Sequence, residues 1–250
     1  MSLWDRYESR MNAHGSDKRS TILKRESRYI KTKLPSNLSY HVVDIDGKQR
    51  NVAIINSDSF STKTIFALPG ESLSHGGLVK WEDNYWLITE LDYNREVYTK
   101  GIMRQCNYLL RWIAEDKSII ERWCIVEDGT KYLIGEYGDN NYVATRGDSR
   151  ISLTIAKDNQ TVRLNRNNRF LIDDYDSPNI LSYRLTKPFK LGGNYNGNGV
   201  LYFVLQECNT EDTDNFELHI ANYYDHFPNH TRDMEQNKSP AELPKKEGWI

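Results

Sequence analysis

Along this chain the apolar positions change period once, from helical spacing near the N-terminus to alternation over almost everything that follows. Leu3, Trp4, Tyr7 and Met11 recur so that successive helical turns show one apolar side. Gly15 interrupts, Ser16 or Asp17 supplies a cap, and Ile22, Leu23, Tyr29, Ile30 and Leu34 predict a second helix with one stripe, reaching to about Lys33. Pro35 ends it. From Ser39 the period is two: Ser39 to Asp44 and Gln49 to Ile55 predict a hairpin about Asp46-Gly47. Leu78 to Trp81 and Tyr85 to Glu90 predict a second hairpin across Glu82-Asp83-Asn84.

The piece Ile102 to Ile113 fits both periods, because Ile102, Cys106, Leu109 and Ile113 have helical spacing while Cys106, Tyr108, Leu110 and Trp112 alternate. A strand is preferred, since the turn-like Glu115-Asp116-Lys117 and the β-branched, aromatic run Ile119 to Val126 allow an antiparallel return. Asp128-Gly129 is a further turn before a short strand, Lys131 to Gly135, and residues 136 to 149 read as a loop. Beyond it, Ile151, Leu153 and Ile155 alternate, as do Val162 and Leu164, and Phe170 to Ile172 precedes an acidic turn. Leu181 to Thr186 and Gly199 to Glu207 predict strands, the second a buried central one around the apolar run Val200 to Leu205. Phe216 to Tyr224 is expected to close the sheet.

The fold class is therefore mainly β: an N-terminal α-helical arm over 1–35, then two small antiparallel β-barrel or sandwich domains over 36–127 and 128–225. Residues 226–250, with Pro228, Pro240 and Pro244 among charges, read as a flexible tail. Composition agrees: the hydrophobic share is only 38%, but 16 Tyr and 6 Trp favour β-structure with much polar surface over disorder.

A net charge of -2 exerts no global pull on nucleic acid. The local exception is the second helix, where Lys18, Arg19, Lys24, Arg25, Arg28, Lys31 and Lys33 face only Asp17 and Glu26. This segment is a solvated face, an arm that docks on an acidic neighbouring subunit or lies near packaged DNA, or, least favoured because its apolar side is small, a membrane-surface helix. No apolar run approaches the roughly 18 residues that span a bilayer, and the polar start MSLWDRYESR is no secretory signal. A soluble protein made in the cytoplasm, with no membrane partner, is expected.

Candidate chemistry is sparse. Cys106, Cys124 and Cys208 have no C-x-x-C spacing and read as buried thiols. The run Gly192-Gly193-Asn194-Tyr195-Asn196-Gly197 lacks the Gly-Lys-Ser/Thr ending of a phosphate cradle and reads as a mobile hairpin tip. Its residues Gly193, Asn194, Tyr195 and Asn196 form a candidate projecting contact. Asp173, Asp174 and Asp176 lack the glycine and distal glutamate of an EF-hand, and Pro228 breaks the helix that His226 and His230 would need as a metal pair. Trp81, Trp86, Trp112 and Trp123 read as barrel core in preference to an aromatic binding face. Neither a nucleophile elbow nor an HExxH or Walker motif is present. No catalytic residue, cofactor or metal is expected.

The stretch GESLSHGGLVKWEDNYWLITELD, from Gly70, followed by NREVYTKGIMRQCNYLLRWI, resembles head-closure proteins: the stopper or head-tail connector proteins in the necks of tailed bacteriophages and prophages of Gram-positive bacteria. The resemblance continues through ERWCIVEDGTKYLIGE and GDSRISLTIAKD, and so covers most of the chain up to about Tyr224. It implies a non-enzymatic virion subunit, assembled in the host cytoplasm, that forms a ring with copies of itself below the portal and its adaptor. Such a ring retains packaged DNA, with possible non-specific contact to it, and docks the tail at the head-tail junction. A tail or baseplate component and a host-surface carbohydrate-binding module are the alternatives.

Overall fold

The computed structural model describes residues 2–11, 17–57, 59–93, 96–128, 149–173, 180–190, 194–195 and 197–228. It is mainly β, with short N-terminal helices followed by two antiparallel, barrel-like sheets.

Helix α1 (Leu3–Met11) starts at a reciprocal cap, in which the Asp5 amide donates to Ser2 Oγ and the Ser2 amide to Asp5 Oδ2. Helix α2 (Lys18–Lys33) repeats the device: the Ser20 amide donates to Asp17 Oδ1 at 2.8 Å and the Asp17 amide to Ser20 Oγ at 3.1 Å. Leu34–Ser36 then tightens into a 3-10 turn around Pro35. The half-buried side of α2 is Ser20, Leu23, Ser27, Ile30 and Leu34, alternating steps of three and four. Ile22 and Tyr29, expected on that stripe, lie about 100° away around the helix and stay exposed.

Six strands follow: β1 (Tyr40–Ile45), β2 (Lys48–Asn56), β3 (Thr62–Ala67), β4 (Leu78–Trp81), β5 (Asn84–Asp92) and β6 (Lys100–Gln105). They form a closed barrel in the order β1-β2-β3-β6-β5-β4. The β1–β2 turn is the expected one, because Asp46 (φ 52) and Gly47 (φ 77) both take the left-handed conformation of a type I′ hairpin. Asp46 also closes the barrel: its amide donates to the Leu78 carbonyl and its carboxylate accepts the Leu78 amide. β1 then pairs with β4 through Asp44↔Lys80 and Ile45↔Val79. Inward residues such as Val43, Val52, Ile65, Val79, Trp86, Ile88 and Met103 fill the interior.

The second sheet uses β7 (Tyr108–Ile113), β8 (Ile119–Asp128), β9 (Arg150–Ala156), β10 (Arg169–Leu171), β11 (Ser182–Phe189), β12 (Asn194–Tyr195) and β13 (Asn198–Cys208). Its order is β10-β11-β13-β9-β8-β7, with β12 on β13. The apolar run in β13 sits between two partners, as its hydrophobicity requires. The edge strands β7 and β10 meet through side chains: Tyr108 Oη donates to the Leu171 carbonyl at 2.9 Å, and Trp112 meets Phe170 edge-on. This curl encloses a core of Leu110, Leu153, Ile155, Phe170, Leu185 and Phe203.

Ile102–Ile113 is β-structure, but as two strands in different sheets. The break falls at Cys106–Asn107, where the Asn107 side chain imitates a strand residue by donating to the Val126 carbonyl and accepting its amide. Hydrogen bonding thus separates the sheets here, whereas the turn at Asp128-Gly129 marked the expected division; β7 and β8 continue into β9. Two expected strands take other forms. Val162 lies in a 3-10 turn, Thr161–Arg163, because the Asp158 carboxylate gathers the Gln160 and Thr161 amides. Phe216 to Tyr224 is a coil of turns with one bridge, Asn215↔Ile220, and a short helix α3 (Tyr223–His226). His219 (φ 55) and Asn222 (φ 57) are left-handed there, which no strand accommodates. The expected strand at Lys131 to Gly135 lies outside the described residues.

The two sheets share a small core of Leu87, Cys106, Ile125 and Val200, capped by Tyr85 stacked on Trp123 at 4.5 Å. Gly76 sits against the Gly199 backbone so closely that a Cβ on Gly76 would fall 2.0 Å from the Gly199 carbonyl oxygen. Arg104 pairs with Glu127 across the same junction.

Candidate functional site

The basic residues singled out in the sequence all lie on α2, whose residues are half-buried or exposed and never fully buried. The helix stands off the barrel, so that a groove of about 860 Å³ separates it from the turns at Pro69-Gly70 and Glu96-Val97. Lys24, Arg25, Arg28 and Lys31 line this groove. Lys24, Arg28 and Lys31 follow one another at steps of four and three, which keeps them on one face over roughly 10 Å of helix axis. The cap at Asp17 and Ser20 fixes where the helix begins, and hence which face these side chains occupy.

Opposite charge is scarce around them. Arg19 pairs with Glu96, and Arg25 lies 3.7 Å from Glu26. Among the described residues no ion pair involves Lys18, Lys24, Arg28 or Lys31. Exposed pairs such as Arg19–Glu96 contribute little to stability, so the arrangement presents uncompensated positive potential to solvent. Ahead of α2 in the chain, α1 exposes its apolar side: Leu3 is 86%, Trp4 65% and Met11 64% accessible, with Tyr7 stacked on Trp4.

Of the candidate projecting loop, Asn194 and Tyr195 form β12, paired with Gly199 and Asn198 of β13. That is a two-stranded hairpin, as expected; Gly193 and Asn196 lie outside the described residues. Asp173 is described, while Asp174, Asp176 and His230 are not. No cluster of metal-binding side chains occurs among the described residues. Cys106 and Cys124 are buried thiols; burial pushes Cys106 up to about 12, and Cys124 donates to the Tyr108 carbonyl. Cys208 is only half-buried. Trp86 and Trp112 are core residues, whereas Trp81 and Trp123 are half-buried.

A buried ion pair had no counterpart in the sequence reading. Arg169 on β10 meets Asp214 at 2.8 Å, and both side chains are almost fully enclosed. Arg169 also donates to Ser182 Oγ and to the Asn209 carbonyl, and lies 3.0 Å from Glu211. Asp214 accepts the amides of Glu211 and Asn222. Burial disfavours the Arg169 charge, but the hydrogen bonds and charge of Asp214 outweigh it and raise its pKa. The pair offers no access to a substrate; it pins the 209–222 segment to the sheet.

Residues 9–105 are similar to the YomX N-terminal domain. That family is phage-associated, of the Bacillus prophage YomX type, and the match points to a phage-related protein. Its limits are informative, because it takes in all of α2 and ends at the last residue of the barrel, Gln105. No curated protein and no solved structure matches the chain. No helix among the described residues is long and apolar enough to cross a membrane.

Proposed function

We propose that this protein is a structural subunit of a tailed-phage neck. Copies form a ring below the portal and its adaptor that helps retain packaged DNA and receives the tail. The reading is non-enzymatic: the protein acts through the surfaces it offers to neighbours, and its work is done in the virion at the head-tail junction. One observation carries it. The stretch similar to a phage-associated domain couples a closed barrel to α2, whose cationic face is exposed, and α1, most of which precedes that stretch, exposes an apolar side of its own. A barrel closed by its own backbone has no free edge to propagate, so specific contacts fall to such appendages. Repetition around a ring makes weak individual contacts effective.

Immunogold labelling of intact virions and of filled, tailless heads tests the proposal. Label at the junction, retained on filled heads without tails, is the expected result. Label confined to the tail tip replaces it with a baseplate or host-binding role.

A further inference from the structure

The uncompensated charge of α2 has a complement elsewhere in the same chain. Residues 208–227, the segment pinned by Arg169, contain Glu211, Asp212, Asp214, Glu217 and Asp225 and no lysine or arginine. Asp214 and Glu211 are used internally on Arg169, while Asp212, Glu217 and Asp225 are exposed. Phe216 and Leu218, flanking Glu217, are 42% and 37% accessible. The segment is therefore acidic with an apolar ridge, and the N-terminal arm is basic with an apolar face. The arm precedes the barrel and the acidic segment follows the last strand of the second sheet, and no ion pair among the described residues joins them.

We infer that the N-terminal arm of one copy docks on the 208–227 segment of a second copy, in a head-to-tail contact. Lys24, Arg28 and Lys31 face Asp212 and Glu217, and the α1 face around Trp4 and Tyr7 packs on Phe216 and Leu218. This rests on the ring proposed above and names the two surfaces that build it. A heterologous contact of this kind uses one face of each type per copy, so it propagates and closes when the rotation allows. Double-stranded DNA is the competing occupant of the cationic groove. Phosphates would satisfy the cations but leave Leu3, Trp4, Tyr7 and Met11 in water, whereas the acidic segment supplies both kinds of contact.

The test uses full-length protein and two surface variants: Lys24→Glu/Arg28→Glu/Lys31→Glu in the arm, and Asp212→Lys/Glu217→Lys in the acidic segment. Circular dichroism and melting first establish that both fold. Sedimentation of the wild type should show concentration-dependent association that weakens as salt rises. Each variant alone should lose that association at least tenfold in affinity. An equimolar mixture should recover it, because the reversed arm of one variant meets the reversed segment of the other. A wild type that stays monomeric at every concentration overturns the inference, as does association that survives either reversal. So does DNA binding that vanishes in the arm variant without any self-association. The readout is independent of virion position: a chain that associates through these surfaces but labels the tail tip keeps the contact and discards the neck.

Discussion

The barrel and the second sheet solve the same problem, two exposed sheet edges, by different means. The barrel joins β1 to β4 through main-chain pairing, and its interior is almost wholly apolar. The second sheet brings β7 and β10 together through side chains: the Tyr108–Leu171 hydrogen bond, the Trp112–Phe170 contact, and the segment held by Arg169 and Asp214. Backbone closure depends chiefly on register and shape, with the Asp46 carboxylate adding a single side-chain contact to the Leu78 amide. Side-chain closure depends on single polar groups, and so on charge state and on single substitutions.

The largest effects should come from the two centres of these closures. Trp86→Ala, which opens a cavity in the barrel interior, should cost about 3 to 5 kcal/mol in denaturant unfolding. Unchanged stability would move Trp86 out of the core and return it to the binding-face reading. Asp214→Ala should cost a similar amount, about 3 to 5 kcal/mol, because it strands the Arg169 guanidinium in a sealed site. The double variant Arg169→Met/Asp214→Leu removes both charges and should recover much of that loss. A double variant no better than the single one would mean that the pair's hydrogen bonds to Ser182 and Asn209, and not its charge balance, hold the segment.

A smaller effect should appear where the regions meet. Gly76→Ala places a methyl group against the Gly199 backbone, and Gly76 is left-handed (φ 79), so loss of about 1 to 3 kcal/mol is expected. Hydrogen exchange should show faster opening at the Leu87–Val200 junction than inside the barrel. Uniform acceleration would mean that the two sheets unfold as one unit.

The smallest effect is one of pH, and it should be confined to the second sheet. His219 is buried 3.3 Å from Tyr108 Oη; burial and then the Arg111 charge lower its pKa from the usual 6.5. The unfolded chain therefore binds a proton at pH values where the folded chain does not. Stability is full above pH 6.5 and is lost as pH falls from there through the folded value. His219→Gln should flatten that part of the stability-pH curve. An unaltered slope would assign it to other groups.

Much of this architecture is determined by local sequence. The helical period of residues 3–11 and the cap at Asp17 set α1 and α2, and the Asp46-Gly47 turn sets the β1–β2 hairpin, since each depends on neighbours within a few residues. The basic face was equally legible, because Lys24, Arg28 and Lys31 share a side of any helix drawn through them. What the apolar pattern left open was partnership. Alternation says that β6 and β7 are strands, but only the fold sends one into the barrel and the other into the second sheet. The 216–224 segment misled for a related reason: its apolar residues suit a strand, yet Asp214 organises its backbone into turns through contacts with Arg169, 45 residues away in sequence. The groove beside α2, the Gly76–Gly199 contact and the buried ion pair all join residues distant along the chain. No local pattern encodes such meetings, because they exist only once both sheets have closed.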